Sequence, residues 1–420
     1  MNGDRAGART ILFVSWVAVL YGAERSLLEI VNVMSPIWNP RFVVPARGPY
    51  SKALEDAKYP VDVVPHEPFL FAATPGVFVN VDKWVSRRLR ALQLKDWRQF
   101  IGYRGLIARS DRTIRFRFAV LRLAWIIRIR RVSLLHANLQ WAIPLVAAAS
   151  KITGVPFVAH LRNMVPDSVD DRLTKSLRRA SAIICISRAV HDSARAAGIL
   201  SPGQQDRTWI IPDARNLSNY AHGDRAGIRA ELGIGDDVPL IGMVARLEPM
   251  KGQHTFLEAA VLVIEHMPSA RFLLVGDIFD ESSRGYLEML KRRCEDPRLK
   301  RRVTFFGYRT DIPDILAALD CFVHPSARGA FVSVLIEAMA AGIPLVVSAV
   351  DGVPECVGRD GAAELIDNLH PADFADAIIR IISEPARKAS MHLAGLERAQ
   401  RYNAIALARE TERVFESCLV

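Results

Sequence analysis

The 420-residue sequence has few cysteines, and their spacing suits neither a disulfide framework nor a zinc site. The five are odd in number, widely separated and free of Cys-x-x-Cys spacing, which excludes the patterns that secreted scaffolds and zinc modules need. A reducing compartment therefore fits best. The five positions are Cys185, Cys294, Cys321, Cys356 and Cys418.

Apolar runs long enough to cross a bilayer are also missing. A spanning helix needs about 18 consecutive apolar residues, and arginines interrupt the longest stretch, around Phe118 to Ile127. The stretch from Ile11 to Leu20 has no small-residue cleavage site after it, so we interpret it as a first strand and its loop rather than a signal peptide. We expect a cytoplasmic protein, either free or peripheral on the inner face of the plasma membrane.

Negative charge is scarce between Lys83 and Arg131, where the sequence has fifteen Lys or Arg and only two acidic residues, Asp96 and Asp111. The chain has a net charge of +10, so this segment alone accounts for the basic balance. An anionic membrane surface, nucleic acid or a solvated basic face each satisfies that charge. No nucleic-acid recognition module accompanies it, which makes nucleic acid the weakest of the three.

Within this segment, apolar residues recur at helical spacing. Phe116, Val120, Leu123 and Ile127 follow one another at intervals of four, three and four, which indicates one stripe of a helix. With Trp125 and the arginines on other faces, such a helix either lies on an anionic bilayer or buries the stripe in the core of the first domain. The sequence leaves both interpretations open.

Along the whole chain, short apolar runs alternate with amphipathic stretches. This alternation is typical of parallel sheets with helices on both faces. The series restarts after Pro212, and the polar, glycine-containing segment 211–237 marks the junction. We predict two doubly wound Rossmann-like domains, residues 1–213 and 214–395, followed by a C-terminal helix, 396–420, that crosses back to the first domain.

Two cations follow the first apolar run of the second domain. Arg246 and Lys251 come after the buried stretch Ile241–Ala245, where a strand of an open parallel sheet presents its ligand-binding end. A planar guanidinium and an ammonium suit the neutralisation of a diphosphate. The alternative is that both are ordinary surface cations on a loop.

A second anion site is predicted where a strand breaks at Pro325 and a helix begins near Ser333. The free N–H groups of a helix N-terminus attract phosphate, here against Val332, Ser333 and Val334. Glu337 lies one turn further on and can accept both hydroxyls of a ribose. A carboxylate in a first helical turn is also favoured by the helix dipole alone.

In combination, these stretches resemble the fourth family of retaining glycosyltransferases, whose members have the GT-B fold. The resemblance covers nearly the whole chain, and its specificity comes from the order of the motifs rather than from any one of them. The motifs are Gly22-Ala23-Glu24, Val158-Ala159-His160, Cys185-Ile186-Ser187-Arg188, Arg246 with Lys251, Val275-Gly276-Asp277, Phe305-Phe306-Gly307, Glu337 to Pro344, and Gly352 with Glu355.

The resemblance implies roles for individual residues. Arg246 and Lys251 would bind the donor diphosphate, Glu337 the nucleoside ribose, and His160 the donor sugar beside the reaction centre. His160, Arg246 and Lys251 are thus the expected catalytic residues. The loop at Gly22 and Ala23 would close over the phosphates from the other domain. The remaining expected donor contacts are Gly276, Val332, Ser333, Val334 and Glu355.

The sequence departs from the family at four positions. Gly329 stands where members usually carry a Glu that reaches the donor sugar, and Val332 where a glycine is usual. Tyr21 replaces a common glycine in the first loop, and Asp213 a common Asn between the domains. Either another residue holds the sugar, or activity is low or absent.

The predicted function is transfer of a sugar, with retention, from a nucleoside-diphosphate sugar to a cell-envelope polysaccharide, lipopolysaccharide or lipid-linked acceptor. No Asp-x-Asp pattern occurs, so we expect no metal or other cofactor to be required. The alternatives are an epimerase or phosphorylase on the same scaffold, or a catalytically impaired donor-binding protein of a polysaccharide assembly complex.

Overall fold

The computed structural model describes residues 8–66, 100–166, 169–278 and 283–419, with side chains from residue 113 onward in the second range. The described residues form two parallel sheets, one of seven strands and one of six. Each sheet begins a new series of strands along the chain, with the change between Ile210 and Leu240.

The N-terminal sheet has the strand order β3-β2-β1-β4-β5-β6-β7, with every pair parallel. Its central strands are buried along their length because helices cover both faces, which is why they read as continuous apolar runs. The strands are β1 Arg9–Val14, β2 Trp38–Val44, β3 Val61–Val63, β4 Leu134–Ala137, β5 Phe157–Leu161, β6 Ala182–Cys185 and β7 Thr208–Ile210.

Six helices connect these strands in the described ranges. The right-handed crossovers that parallel strands need place helices on both faces of the sheet. The helices are α1 Gly22–Asn32, α2 Pro49–Asp56, α3 Phe100–Ile129, α4 Ile143–Thr153, α5 Asp171–Leu177 and α6 Arg188–Ala196.

The C-terminal sheet has the order β10-β9-β8-β11-β12-β13 and is also parallel throughout. Its strands are β8 Leu240–Val244, β9 Arg271–Val275, β10 Val303–Gly307, β11 Cys321–His324, β12 Leu345–Ser348 and β13 Ala363–Ile366. Its helices are α7 Arg225–Glu231, α8 Gln253–His266, α9 Arg284–Arg293, α10 Ile312–Ala318, α11 Ser333–Ala340, α12 Val353–Val357 and α13 Pro371–Ser383.

The C-terminal segment is two helices, α14 Pro385–Ala399 and α15 Ala404–Ser417, rather than the single helix expected over 396–420. The break occurs because Asn403 is extended and its side chain accepts a hydrogen bond from the N–H of Ile405, which starts a new helix. Helix α15 lies against the N-terminal domain. The ring of Phe415 packs 6.2 Å from that of Phe13 and 5.6 Å from that of Trp38.

Helix α3 contains the apolar stripe for which the sequence left two interpretations open. Val120, Leu123 and Ile127 are buried in the core of the N-terminal domain, and Phe116 packs against the same core. The stripe therefore does not lie on a membrane. Residues 83–99 of the basic segment lie outside the described ranges.

A different face of α3 is exposed and apolar. Phe118, Leu121 and Trp125 are 69%, 58% and 61% exposed and lie at helical spacing. The exposed arginines Arg117 and Arg122 stand beside them. In the part of the chain that the structure describes, no helix combines the length and apolar character needed to span a membrane.

Candidate active site

The loop after β8 brings Arg246 and Lys251 to the carboxyl edge of the C-terminal sheet. Lys251 ends a short 3-10 turn, Pro249–Lys251, and Gly252 follows with φ +79°. A Cβ at Gly252 would lie 1.9 Å from the Pro325 carbonyl oxygen, so only glycine allows this approach. The loop therefore packs directly against the end of β11.

The two cations differ in their surroundings. Arg246 forms an ion pair with Glu248 at 3.3 Å, and its guanidinium lies 5.4 Å from the ring centre of Tyr21, which belongs to the other domain. The Lys251 ammonium has no hydrogen bond or ion pair to any residue in the described ranges. Burial, together with the charge of Arg246, lowers the pKa of Lys251, and the charge of Glu248 opposes this shift. A half-buried cation that no hydrogen bond or ion pair neutralises favours an anionic ligand.

Helix α11 begins at Ser333, as predicted, and its N-terminus faces the same cleft. No side chain caps it, because Val332 occupies the cap position and the Ser333 hydroxyl instead donates to Asp213 at 2.8 Å. The loop before it is tied to the cation loop, since the N–H of Ala327 donates to the Met250 carbonyl at 2.9 Å. Free N–H groups and two cations thus adjoin one another, which suits a diphosphate.

Glu337 lies on α11 and is buried, where it makes an ion pair that the sequence did not reveal. The Arg215 Nε donates to Glu337 Oε1 at 2.7 Å, and Arg215 is itself only 1% exposed. Arg215 therefore occupies one carboxylate oxygen of the residue expected to hold the ribose. The ribose contact stays a prediction for the other oxygen.

His160 lies in β5 of the N-terminal domain and is buried beside His136, whose ring centre is 5.5 Å away. Neither ring nitrogen of His160 has a hydrogen-bond partner among the described residues. Burial lowers its pKa well below the usual value, and the charges of Arg162 and His136 add to this effect. The imidazole is neutral at physiological pH, so it suits hydrogen bonding to a sugar rather than proton donation.

Gly22 and Ala23 form the first turn of α1 and not a loop, which corrects the sequence interpretation. The loop is the preceding segment 15–21. A Cβ at Gly22 would lie 3.4 Å from the Ser333 hydroxyl, so the N-termini of α1 and α11 approach each other across the domains. Glu24 in the same turn is buried, which raises its pKa to about 7, although the charge of Arg162 opposes the shift.

A buried ion pair between Arg162, which follows β5, and Asp213 also connects the N-terminal sheet to the inter-domain segment. Their side chains are 3% and 4% exposed. The pair gives the departure at Asp213 a physical reason, because a neutral Asn would leave the Arg162 charge unpaired in the interior.

The departures at Gly329 and Val332 belong together. A Cβ at Gly329 would lie 2.8 Å from a methyl of Val332 and 3.0 Å from one of Val353, so the Val332 side chain fills the space that a longer residue at 329 needs. The Gly329 N–H donates to the Asp351 carboxylate at 2.9 Å. Asp351 has φ +45°, an unusual conformation for a non-glycine residue.

Two further residues expected to contact the donor, Glu355 and Gly276, contact other residues of the protein. Glu355 accepts a hydrogen bond from the N–H of Arg188 at 2.7 Å, which places it where α6 of the N-terminal domain begins. Gly276 has φ +134°, and a Cβ there would lie 2.0 Å from the Ala245 carbonyl oxygen. Their contacts with a donor stay predictions.

Among the described residues no group of three His, Cys, Asp or Glu is placed to hold a metal ion.

The two Rossmann-like domains, with the carboxyl edges of their parallel sheets meeting at this cleft, define the GT-B fold. HepE from Anabaena, whose crystal structure contains UDP and glucose, superposes with a TM-score of 0.76 at 24% identity, covering 97% of this chain and 99% of that one. Sucrose-phosphate synthase from Thermosynechococcus elongatus gives 0.68 at 18% identity, covering 97% and 98%.

The model of the family described as glycosyl transferases group 1 matches residues 224–398, so the C-terminal domain is similar to that family. The resemblance inferred from the motifs is confirmed. D-inositol 3-phosphate glycosyltransferase from Nocardia farcinica is 28% identical over 271 residues, and that from Kribbella flavida 28% over 277 residues. These matches cover 63% and 64% of this chain and 59% and 64% of the relatives, so the chain spans about three fifths of their length.

Proposed function

We propose that this protein is a retaining glycosyltransferase that moves a sugar from a nucleoside-diphosphate sugar to a cell-envelope polysaccharide, lipopolysaccharide or lipid-linked acceptor. The observation that carries the proposal is the Lys251 ammonium, half-buried and without a hydrogen bond or ion pair in the described ranges, beside Arg246 and the uncapped N-terminus of α11. UDP in the crystal structure of HepE gives the proposal independent support.

In this proposal, the cations act on the leaving group. Negative charge develops on the diphosphate as the bond to the sugar breaks, and preorganised cations in a dry cleft stabilise that charge. Arg246, Lys251 and the α11 N-terminus together supply positive charge, so we infer that no metal ion is needed. Neutral His160 would hold a hydroxyl of the sugar from the opposite domain.

Product analysis tests the reaction class. The full chain is incubated with UDP-, GDP-, ADP- and dTDP-sugars and with a lipid and polysaccharide extract of bacterial envelope, and released nucleoside diphosphate and the anomeric configuration of the product are measured by NMR. We expect release that depends on the acceptor, retention of configuration, and an unchanged rate in EDTA. An epimer without acceptor, or sugar phosphate formed from a glucan, would contradict the proposal.

A donor-binding protein without turnover is the second candidate, and the occupied space at Gly329 favours it. Because Val332 fills the position of a longer side chain, the grip on the donor sugar expected there is absent. Tight nucleotide-sugar binding with neither transfer nor hydrolysis would establish this second function.

We further propose that the exposed face of α3 attaches the enzyme to an anionic membrane at the inner side of the plasma membrane. Phe118, Leu121 and Trp125 provide apolar and aromatic contact, and Arg117 and Arg122 provide charge, which is the composition of interfacial helices. A protein with this face free in solution exposes an unfavourable apolar patch.

Vesicle sedimentation tests the attachment. The wild type should sediment with vesicles that contain phosphatidylglycerol and remain in the supernatant with phosphatidylcholine alone. The double variant Phe118→Ser and Trp125→Ser should lose most of that binding, whereas Trp209→Ser, at a 38% exposed residue of β7, should retain it. Equal binding by both variants would contradict this assignment.

A further inference from the structure

A pocket of about 230 Å³ opens at the carboxyl edge of the N-terminal sheet. Its walls include Trp16, which follows β1, Trp141, which follows β4, and Asn163, which follows β5. We call it the tryptophan pocket. Ligands of open parallel sheets bind at this edge, and His160 lies in one of the same strands. The volume is below the roughly 300–1,000 Å³ of sites for drug-sized ligands, so it suits a single ring.

The walls of the tryptophan pocket are mainly apolar and partly rigid. Trp16 is only 8% exposed, and its ring centre lies 5.0 Å from that of His66. Trp141 is half-buried, and Met164 and Pro166 are among the other apolar residues of the wall. Indole rings offer a large flat contact area with few rotatable bonds, which suits a flat ligand face of C–H groups.

One polar pair in the wall is oriented by the backbone. Gln140 Oε1 accepts hydrogen bonds from the Arg162 N–H at 3.4 Å and from Asn163 Nδ2 at 3.2 Å. The Gln140 amide nitrogen and the Asn163 amide oxygen then have no partner among the described residues. A hydroxyl can satisfy both, because it donates and accepts. An alkyl chain would leave both unpaired, which is unfavourable.

The charges in the pocket wall balance. Asp170 and Arg172 are its charged residues, and the Asp170 carboxylate accepts a hydrogen bond from the backbone N–H of Arg172 at 2.8 Å. A phosphate group would meet one carboxylate and one guanidinium here, without the excess of positive charge that stabilises bound anions. The relatives named above act, by name, on a phosphorylated inositol.

We propose that the tryptophan pocket binds the acceptor as a neutral, hydroxyl-bearing sugar ring, stacked on indole and held by Gln140 and Asn163, in preference to a phosphorylated ring. The link to sugar transfer rests on the proposed function. The binding of a neutral ring does not, so the two can be tested separately.

Saturation-transfer NMR on the full chain provides the test. The probes are the methyl glycosides of glucose, galactose, mannose and N-acetylglucosamine, together with D-inositol 3-phosphate. At least one methyl glycoside should bind the wild type, and more tightly than the inositol phosphate. Trp141→Ala should weaken that binding about tenfold or more, Trp141→Phe should retain most of it, and the control Trp209→Ala should leave it unchanged.

Asn163→Leu provides a second variant that leaves Trp141 in place, and it should also weaken glycoside binding. The proposal is overturned if none of the four glycosides binds the wild type, if binding is unchanged in both Trp141→Ala and Asn163→Leu, or if the inositol phosphate binds more tightly. Glycoside binding in a protein that turns over no nucleotide sugar would refute the proposed function and leave the pocket assignment standing. Turnover whose acceptor KM is unchanged in Trp141→Ala would refute the pocket assignment and leave the proposed function standing.

Discussion

The buried ion pair between Arg215 and Glu337 joins the inter-domain segment to α11, so its removal should destabilise the chain. Arg215 is 1% exposed, its Nε donates to Glu337 Oε1 at 2.7 Å, and its Nη1 donates to the Ala214 carbonyl at 2.8 Å. Burial disfavours the charged guanidinium, but the charges of Glu337, Asp213 and Glu29 outweigh it and raise the pKa of Arg215.

The substitution Arg215→Met keeps much of the side-chain volume and removes the charge. Three acidic residues then lose a shared cation, and breaking a buried pair in this way costs about 3–5 kcal/mol. Glu337→Met should cost less, because Arg215 retains Asp213 and Glu29 as counter-charges. The double variant should be more stable than the sum of the single losses predicts, by about 1–3 kcal/mol.

Urea unfolding of the full chain, followed by circular dichroism, measures all three free energies of unfolding. Arg401→Met at an exposed position serves as the control and should change stability by less than about 0.5 kcal/mol. A loss below about 1 kcal/mol in Arg215→Met, or single-variant losses that add to within about 0.5 kcal/mol in the double variant, would refute the reasoning.

Three further predictions concern Gly329, Gly276 and Glu24. Gly329→Glu should lower the melting temperature and should not increase turnover. Adding Val332→Gly should restore the melting temperature, because the new side chain at 329 clashes with that valine at 2.8 Å. Equal melting temperatures for the single and double variants would contradict this prediction. Gly276→Ala should lower the free energy of unfolding in urea by more than about 2 kcal/mol, because Gly276 has φ +134° and the added Cβ would lie 2.0 Å from the Ala245 carbonyl oxygen. The control Gly285→Ala, whose Cβ would have nothing within 4 Å, should be neutral or stabilising. Because the folded chain keeps a proton on Glu24 up to about pH 7 that the unfolded chain loses near 4.5, stability from this group falls as pH rises between those values, by up to about 3 kcal/mol. Glu24→Gln should therefore gain stability over the wild type between pH 5 and pH 8, and a constant difference would exclude a protonated buried Glu24.

The strand and helix order could be predicted because parallel strands covered on both faces must be apolar along their length. The ends of those strands place Arg246 and Lys251 at the ligand-binding edge by the same reasoning. Helix α11 begins at Ser333 as expected, since a break at Pro325 precedes it. These features depend on local sequence, so one sequence suffices to find them.

Contacts between distant residues could not be predicted in this way. Arg162 and Asp213 are 51 positions apart, and Arg215 and Glu337 are 122 apart. No spacing rule connects such residues, because only the packing of the two domains brings them together. The presence of arginines beside a buried strand and in the inter-domain segment is the one signal the sequence offers, and it does not identify their partners.

Helix α3 shows a related limit. Periodicity identifies Phe116, Val120, Leu123 and Ile127 as one stripe, but it does not say what the stripe contacts. The structure buries it and instead exposes Phe118, Leu121 and Trp125, of which the sequence pattern singles out only Trp125. A helix with two apolar faces buries one of them in the core and leaves the other exposed for a partner.

Calorimetric titration with sugar nucleotides tests the central claim most directly, namely that Arg246, Lys251 and the N-terminus of α11 form the donor diphosphate site. At least one of the UDP-, GDP-, ADP- and dTDP-sugars should bind the wild type. Lys251→Ala should weaken that binding about tenfold to a hundredfold, the loss expected for one charge-assisted hydrogen bond, whereas Lys291→Ala on exposed α9 should bind as the wild type does. Equal affinities of Lys251→Ala and the wild type for every accepted donor would contradict the account.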